Sequence, residues 1–95
     1  KYNKLFSNID EIDLFKEPRY CKSNYWLQTI ILRKQNMKLR NDILKLTNKK
    51  NIMTRPVWKL LHKLQPFKNC QRSPLPKALS LEKRIINIPS SYGIA

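Results

Sequence analysis

Ninety-five residues with 41% hydrophobic content and nine aromatics allow one small domain and exclude a disordered tail. Twenty basic against six acidic residues give a net charge of +14, the footprint expected of a nucleic-acid binder. No apolar run approaches the roughly 20 residues of a membrane span and no signal peptide opens the chain, so a cytoplasmic protein is expected.

Codon bias and small-anion binding compete with nucleic acid as the source of this charge. Fourteen of the bases are lysine, beside ten isoleucines and nine asparagines, and all three residue types have AT-rich codons. A low-GC genome produces this bias without selection for polyanions. The bases spread from Lys1 to Arg84 with no run of five or six, and attraction of a smaller anion such as a diphosphate stays open. The chain starts at Lys1 without an initiator methionine, and reads as a fragment or processed product.

Residues 1–23 carry four of the six acids, Asp10, Glu11, Asp13 and Glu17, and Pro18 disfavours helix at Glu17. They read as a helix end followed by an extended connector. "NYWLQTIILR", residues 24–33, is rich in aromatic and β-branched residues. Its near-continuous apolarity predicts a strand covered on both faces, with Tyr25 and Trp26 in the core. "NMKLRNDILKLTNKK", residues 36–50, predicts a helix with Leu39, Ile43 and Leu46 turned inward. Lys49 and Lys50 suit the negative end of its dipole.

After a tight turn, "NIMTR", residues 51–55, predicts a short strand. Pro56 can open a helix, because its missing N–H would be unpaired there, and "VWKLLHKL" then reads as a short helix that Pro66 stops. On that helix Val57, Leu60, Leu61 and Leu64 share a face, and Trp58 and His62 lie together on the next. "NCQRSPLPK" is a loop. "ALSLEKRII" predicts a last helix with Leu79, Ile85 and Ile86 as core contacts, and "INI" can form a third strand. The order implies an α+β fold, one short antiparallel or mixed sheet with helices mainly on one face.

Catalytic chemistry complete within these residues is not expected. There is one histidine, no paired carboxylates, one glycine (Gly93), and no His/Asp partner for Ser90 or Ser91. Cys21 and Cys70 lack metal-ligand spacing and read as reduced thiols, with no metal site. Residues 54–67, "TRPVWKLLHKLQPF", concentrate the remaining chemistry. In one reading Trp58 packs in the core and His62 is a satisfied edge residue. In the other, Arg55 makes charge-assisted contacts to a carboxylate or phosphate, Trp58 stacks beneath a sugar or base, and His62 donates to the same ligand. Pattern alone does not separate them.

"RPVWKLLHKLQPF" resembles the Arg-Pro-x-Trp-Lys-x-x-His…Gln-Pro-x-Phe signature of the C-terminal region of DegT/StrS-type sugar-nucleotide aminotransferases. "SNYWLQTIIL" sits where that family has its Trp-Leu strand, and "LEKRIINIPSS" resembles its closing Pro-Ser-Ser segment. Together the blocks cover most of residues 20–91. Leu60 stands where some relatives have proline, and Val57 near where they commonly have histidine. "TRPVWKLLH" with "NIPSS" is most like the subgroup that makes bacillosamine- and legionaminic-acid-type amino sugars for surface glycans.

The resemblance implies the small C-terminal domain of a fold-type-I, pyridoxal-phosphate-dependent enzyme that converts a nucleotide-linked keto sugar to an amino sugar. It implies that residues 1–23 are connector and helix end from a larger domain, and that residues 24–95 are the small α+β domain. The Schiff-base lysine and most cofactor ligands would lie in that larger domain, so this chain alone is expected to bind no pyridoxal phosphate and to be inactive. Arg55, Trp58, Lys59 and His62 match the family's substrate-side positions. The implied partners are the larger domain, a second subunit in a homodimer and a nucleotide-linked sugar, with no specific nucleic acid and no membrane. The alternative is a small basic nucleic-acid-binding module using the helix at 38–50.

Overall fold

Burial alternates along residues 28–32 and 85–88, and Ile30, Leu32, Ile86 and Ile88, turned to one face, build the centre of the molecule. A computed structural model describes residues 1–90; Ser91 and Gly93 lie outside the described residues. Strand β2 (Gln28–Leu32) pairs antiparallel with β4 (Ile85–Ile88), placing Ile30 opposite Ile86. Strand β1 (Ile12–Leu14) adds to the outer side of β2, and the two-residue strand β3 (Arg55–Pro56) to the outer side of β4. The sheet order is β1-β2-β4-β3, antiparallel throughout.

Among the described residues Ile30, Leu32, Ile86 and Ile88 are the buried hydrophobic ones, and side chains from two helices close over three of them. Helix α1 (Tyr2–Phe6) contributes Tyr2 and Phe6, and helix α2 (Met37–Lys49) contributes Ile43 and Leu44. Both therefore lie on the same face of the sheet, the α+β arrangement expected. The opposite face, carrying Thr29, Ile31, Ile85 and Asn87, is only half-buried.

Three expectations are corrected here. Trp26 is 70% exposed and Tyr25 half-buried, so neither belongs to the buried core. Local side-chain bonds compete with the ladder: Ser23 Oγ accepts the Tyr25 N–H at 2.9 Å and Asn24 Oδ1 the Trp26 N–H at 3.0 Å. The chain turns there, Tyr25 has φ 48°, and the strand begins only at Gln28. Residues 1–23, read as helix end and connector, also supply the edge strand β1.

The second correction concerns α2. Asn36 caps it, accepting the Leu39 N–H at 3.0 Å, and Asn51 with φ 62° ends it in a Schellman turn, Ile52 N–H reaching the Thr47 carbonyl at 2.8 Å. Its inward stripe is Arg40, Ile43, Leu44 and Thr47: Ile43 faces the core as expected, while Leu39 and Leu46 give way to the residues that follow them, Arg40 and Thr47. Leu46 is 56% exposed. Arg40 and Thr47 turn in because each finds a partner there: Arg40 Nη1 donates to the Glu82 carbonyl at 2.8 Å, and Thr47 Oγ1 contacts Thr54 Oγ1 at 2.6 Å.

The third correction is the end of the chain. The last helix, α3, spans Pro76–Glu82, and Ile85 and Ile86 belong to β4 instead. Ile86 is fully buried, while Leu79 and Ile85 are half-buried.

Candidate functional site: the cleft at the outer edge of the sheet

Residues 54–60 decide the site, and their local structure follows from where each polar group finds its partner. Thr54 is 2% exposed and joins a network at the end of α2. Asn48 Nδ2 donates to Thr54 Oγ1 at 3.0 Å and to the Thr54 carbonyl at 3.1 Å. Asn48 Oδ1 accepts from Arg55 Nη1 at 3.0 Å, and that nitrogen also reaches the Thr54 carbonyl at 3.0 Å. Arg55 is thereby aimed from an edge strand by a helix residue that apolar periodicity could not single out. The expected strand at 51–55 shrinks to Arg55–Pro56, because the Schellman turn uses residues 50–52. A proline is compatible with an edge strand, whose outward N–H pairs with nothing.

The helix expected at 57–64 is absent. In it the Leu60 N–H would bond to the Pro56 carbonyl; instead it donates to Glu82 Oε2 at 2.9 Å. Leu60 is extended, with φ −59° and ψ 137°, and only a 3-10 turn, Leu61–Lys63, follows before a second at Gln65–Phe67. Trp58 and His62 therefore do not share a helical face. Trp58 is 68% exposed, which removes the reading of Trp58 as a core residue.

Arg55, Trp58 and Lys59 line one cleft of about 620 Å³, together with Leu27, Asn87 and Ser90. Asn87 is oriented by Thr29, whose Oγ1 donates to Asn87 Oδ1 at 3.0 Å, and Ser90 Oγ donates to the Trp26 carbonyl at 2.7 Å. Among the described residues the ion pairs are Arg33–Asp13 and Lys63–Glu82, so Arg55 and Lys59 face the cleft without a carboxylate partner. Two uncompensated cations beside an exposed indole suit an anion attached to a flat or sugar-like body. His62 does not line this cleft; it is half-buried on the neighbouring turn, Leu61–Lys63. The Glu82 carboxyl is held below its ordinary value by the Lys63 hydrogen bond first and the Leu60 N–H second, with His62 adding a smaller effect.

The chain's own residues do not fit a pyridoxal phosphate site. None of the fourteen lysines is buried; Lys63 and Lys83 are half-buried, and Lys63 is taken by Glu82. No helix among the described residues is long and apolar enough to cross a membrane.

Fold and cleft together define a small α+β unit that presents cations and an indole at a sheet edge. The family model for the DegT/DnrJ/EryC1/StrS aminotransferase family matches residues 1–95, and the chain belongs to that family. Among solved structures it is similar to the aminotransferase TlmJ from Streptoalloteichus hindustanus, at 16% identity and TM-score 0.77, over 93% of this chain and 23% of that one. It is also similar to Helicobacter pylori PseC, an aminotransferase involved in the biosynthesis of pseudoaminic acid. That match has 19% identity and TM-score 0.78, over 93% of this chain and 24% of PseC. The chain thus spans about a quarter of the length of these structures. At such identities the likeness shows the fold. A search of curated proteins finds no match.

Proposed function

We propose that this chain is the small C-terminal domain of a pyridoxal-phosphate-dependent aminotransferase acting on a nucleotide-linked keto sugar, and that its cleft forms one wall of the sugar-nucleotide pocket. The observation that carries this is the meeting of Arg55, Trp58 and Lys59 in one cleft of a chain that belongs to the aminotransferase family. Arg55 and Lys59 would hold the diphosphate and Trp58 would pack against the sugar or base, with His62 approaching from the adjoining turn. The cofactor would supply the amino-group chemistry from a larger domain, since no lysine here offers a site for it. Residues 1–23 would join that domain to residues 24–95. A homodimeric, cytoplasmic parent enzyme making an amino sugar of the bacillosamine or legionaminic-acid type for surface glycans fits the signature. The nucleic-acid alternative gains no support from the family match.

The test is a titration of the 95-residue chain with UDP, followed by the Trp58 indole N–H in NMR. Millimolar binding that shifts Trp58 and the Arg55 side chain, and that weakens about ten-fold or more in R55A/K59A but not in K49A/K50A, is expected. That loss corresponds to about 1.4 kcal/mol or more, the size of a charge-assisted contact. Equal weakening by both double variants would show diffuse attraction by the +14 chain and sink the assignment. Duplex DNA binding with a steep salt slope, mapped to α2, would favour the basic-module reading instead.

A further inference from the structure

Trp58 and Lys59 line the cleft from a segment with no helix or strand of its own. At one end that segment leaves the sheet at Pro56. At the other, a single carboxylate holds it. Glu82 Oε2 accepts the Leu60 N–H at 2.9 Å, and Glu82 Oε1 accepts the Lys63 ammonium at 2.5 Å. The Glu82 side chain is 14% exposed.

This acid is in an unexpected place. Glu82 is the last residue of α3, and the C-terminal end of a helix favours cations over carboxylates. In a chain with twenty bases and six acids, neither composition nor helix electrostatics accounts for it. Its contacts do. The Glu82 backbone carbonyl accepts Arg40 Nη1 from α2, its carboxylate grips residues 60 and 63, and three residues later the chain enters β4, which carries Asn87 to the cleft. One residue therefore ties α2, α3 and the cleft segment together. Only residues 57–59 span the gap between the sheet pairing at Pro56 and the bond at Leu60, so a clamp there leaves Trp58 and Lys59 few backbone alternatives.

We propose that Glu82 is a positioning residue of the cleft, clamping the segment at Leu60 and Lys63 so that Trp58 and Lys59 are presented in a fixed pose. As an aid to substrate binding this rests on the reading of the cleft as a sugar-nucleotide site. The clamp itself stands on its own geometry. Pre-ordering a ligand-contacting segment lowers the ordering cost of binding, so its loss should appear in affinity and in local order.

The experiment measures amide exchange and backbone order of the 95-residue chain, with UDP as the probe ligand, in wild type, E82A, E82Q and K63M. In E82A the Leu60 N–H should exchange about ten-fold faster or more, and order at 57–59 should fall, while the amides of β2 and β4 keep their protection. UDP affinity should drop several-fold. E82Q keeps an acceptor for Leu60 and should recover part of both effects. K63M removes only the ammonium and should weaken UDP binding modestly with Leu60 still protected, which keeps the clamp testable if E82A does not fold. Unchanged Leu60 exchange in E82A, or loss of β2 and β4 protection alongside it in E82A and K63M alike, overturns the proposal. If wild type fails to bind UDP at the cleft, the pocket reading fails, and the exchange and order data alone decide the clamp.

Discussion

Removing the Thr47 hydroxyl should cost more than removing that of Thr54, although the two share one hydrogen bond. Thr47 Oγ1 lies 2.7 Å from the Ile43 carbonyl and 3.2 Å from that of Leu44. Carbonyls only accept, so the single Thr47 proton points to them, and the 2.6 Å contact between the two threonines must use the Thr54 proton. Thr54→Val then removes a donor and leaves Asn48 Nδ2 with the Leu44 and Thr54 carbonyls, a loss of about 1 kcal/mol. Thr47→Val leaves the Thr54 hydroxyl, on a residue 2% exposed, without its acceptor, and should cost about 2 kcal/mol.

In the double variant no hydroxyl remains to be orphaned. Its cost should therefore fall about 1 kcal/mol short of the sum of the singles. Urea unfolding followed by far-UV circular dichroism resolves this. With a slope of about 1 kcal/mol per M for a chain of this size, the coupling corresponds to about 1 M in midpoint. Equal single effects with strict additivity would refute the donor assignment and the network built on it. The network also aims Arg55 through Asn48, so Thr47→Val should disturb the Arg55 side-chain resonances as well.

Three further outcomes follow from burial and charge. Ile86→Ala, at a fully buried position in the centre of the sheet, should cost about 2–5 kcal/mol, enough to unfold much of so small a domain. Trp26→Ala, at 70% exposure, should stay within about 0.5 kcal/mol; a large loss in thermal unfolding would contradict its placement outside the core. The Glu82 clamp should depend on pH in one direction. Its folded-state pKa is depressed, first by the hydrogen bond from Lys63, then by that from the Leu60 N–H, with a smaller electrostatic contribution from His62. Its contribution is therefore fully present above the ordinary value of about 4.5 and is lost as pH falls through the lower folded value. Leu60 amide protection that holds at pH 6 and fails well below pH 4.5 checks this; protection that is already lost between pH 8 and 6 would contradict it.

Short-range physics made much of the chain legible. The α2 helix was readable because its cap, its apolar spacing and its stop all lie within residues 36–51. The β-branched, nearly continuous apolar run at 24–33 and the "INI" of residues 86–88 marked the two central strands, though the first begins only at Gln28 and Ile85 was assigned to the preceding helix. The signature at 55–67 led to the family and to Arg55, Trp58 and Lys59, which the fold brings to one cleft.

The misses share one cause, a long-range partner that overrides a local preference. Thr47 and Arg40 displaced leucines from the inner stripe of α2 because Thr54 and the Glu82 carbonyl await them. Asn48 looked like one more polar helix residue until Arg55 folded back onto it. By itself, the sequence determined the fold class, the α2 helix and the chemistry available at residues 55–62. Only the tertiary structure decided that residues 57–60 are no helix and that Trp58 is exposed while His62 stays outside the cleft. The reason is that the Leu60 N–H is claimed by a carboxylate 22 residues away, a contact that no local pattern encodes.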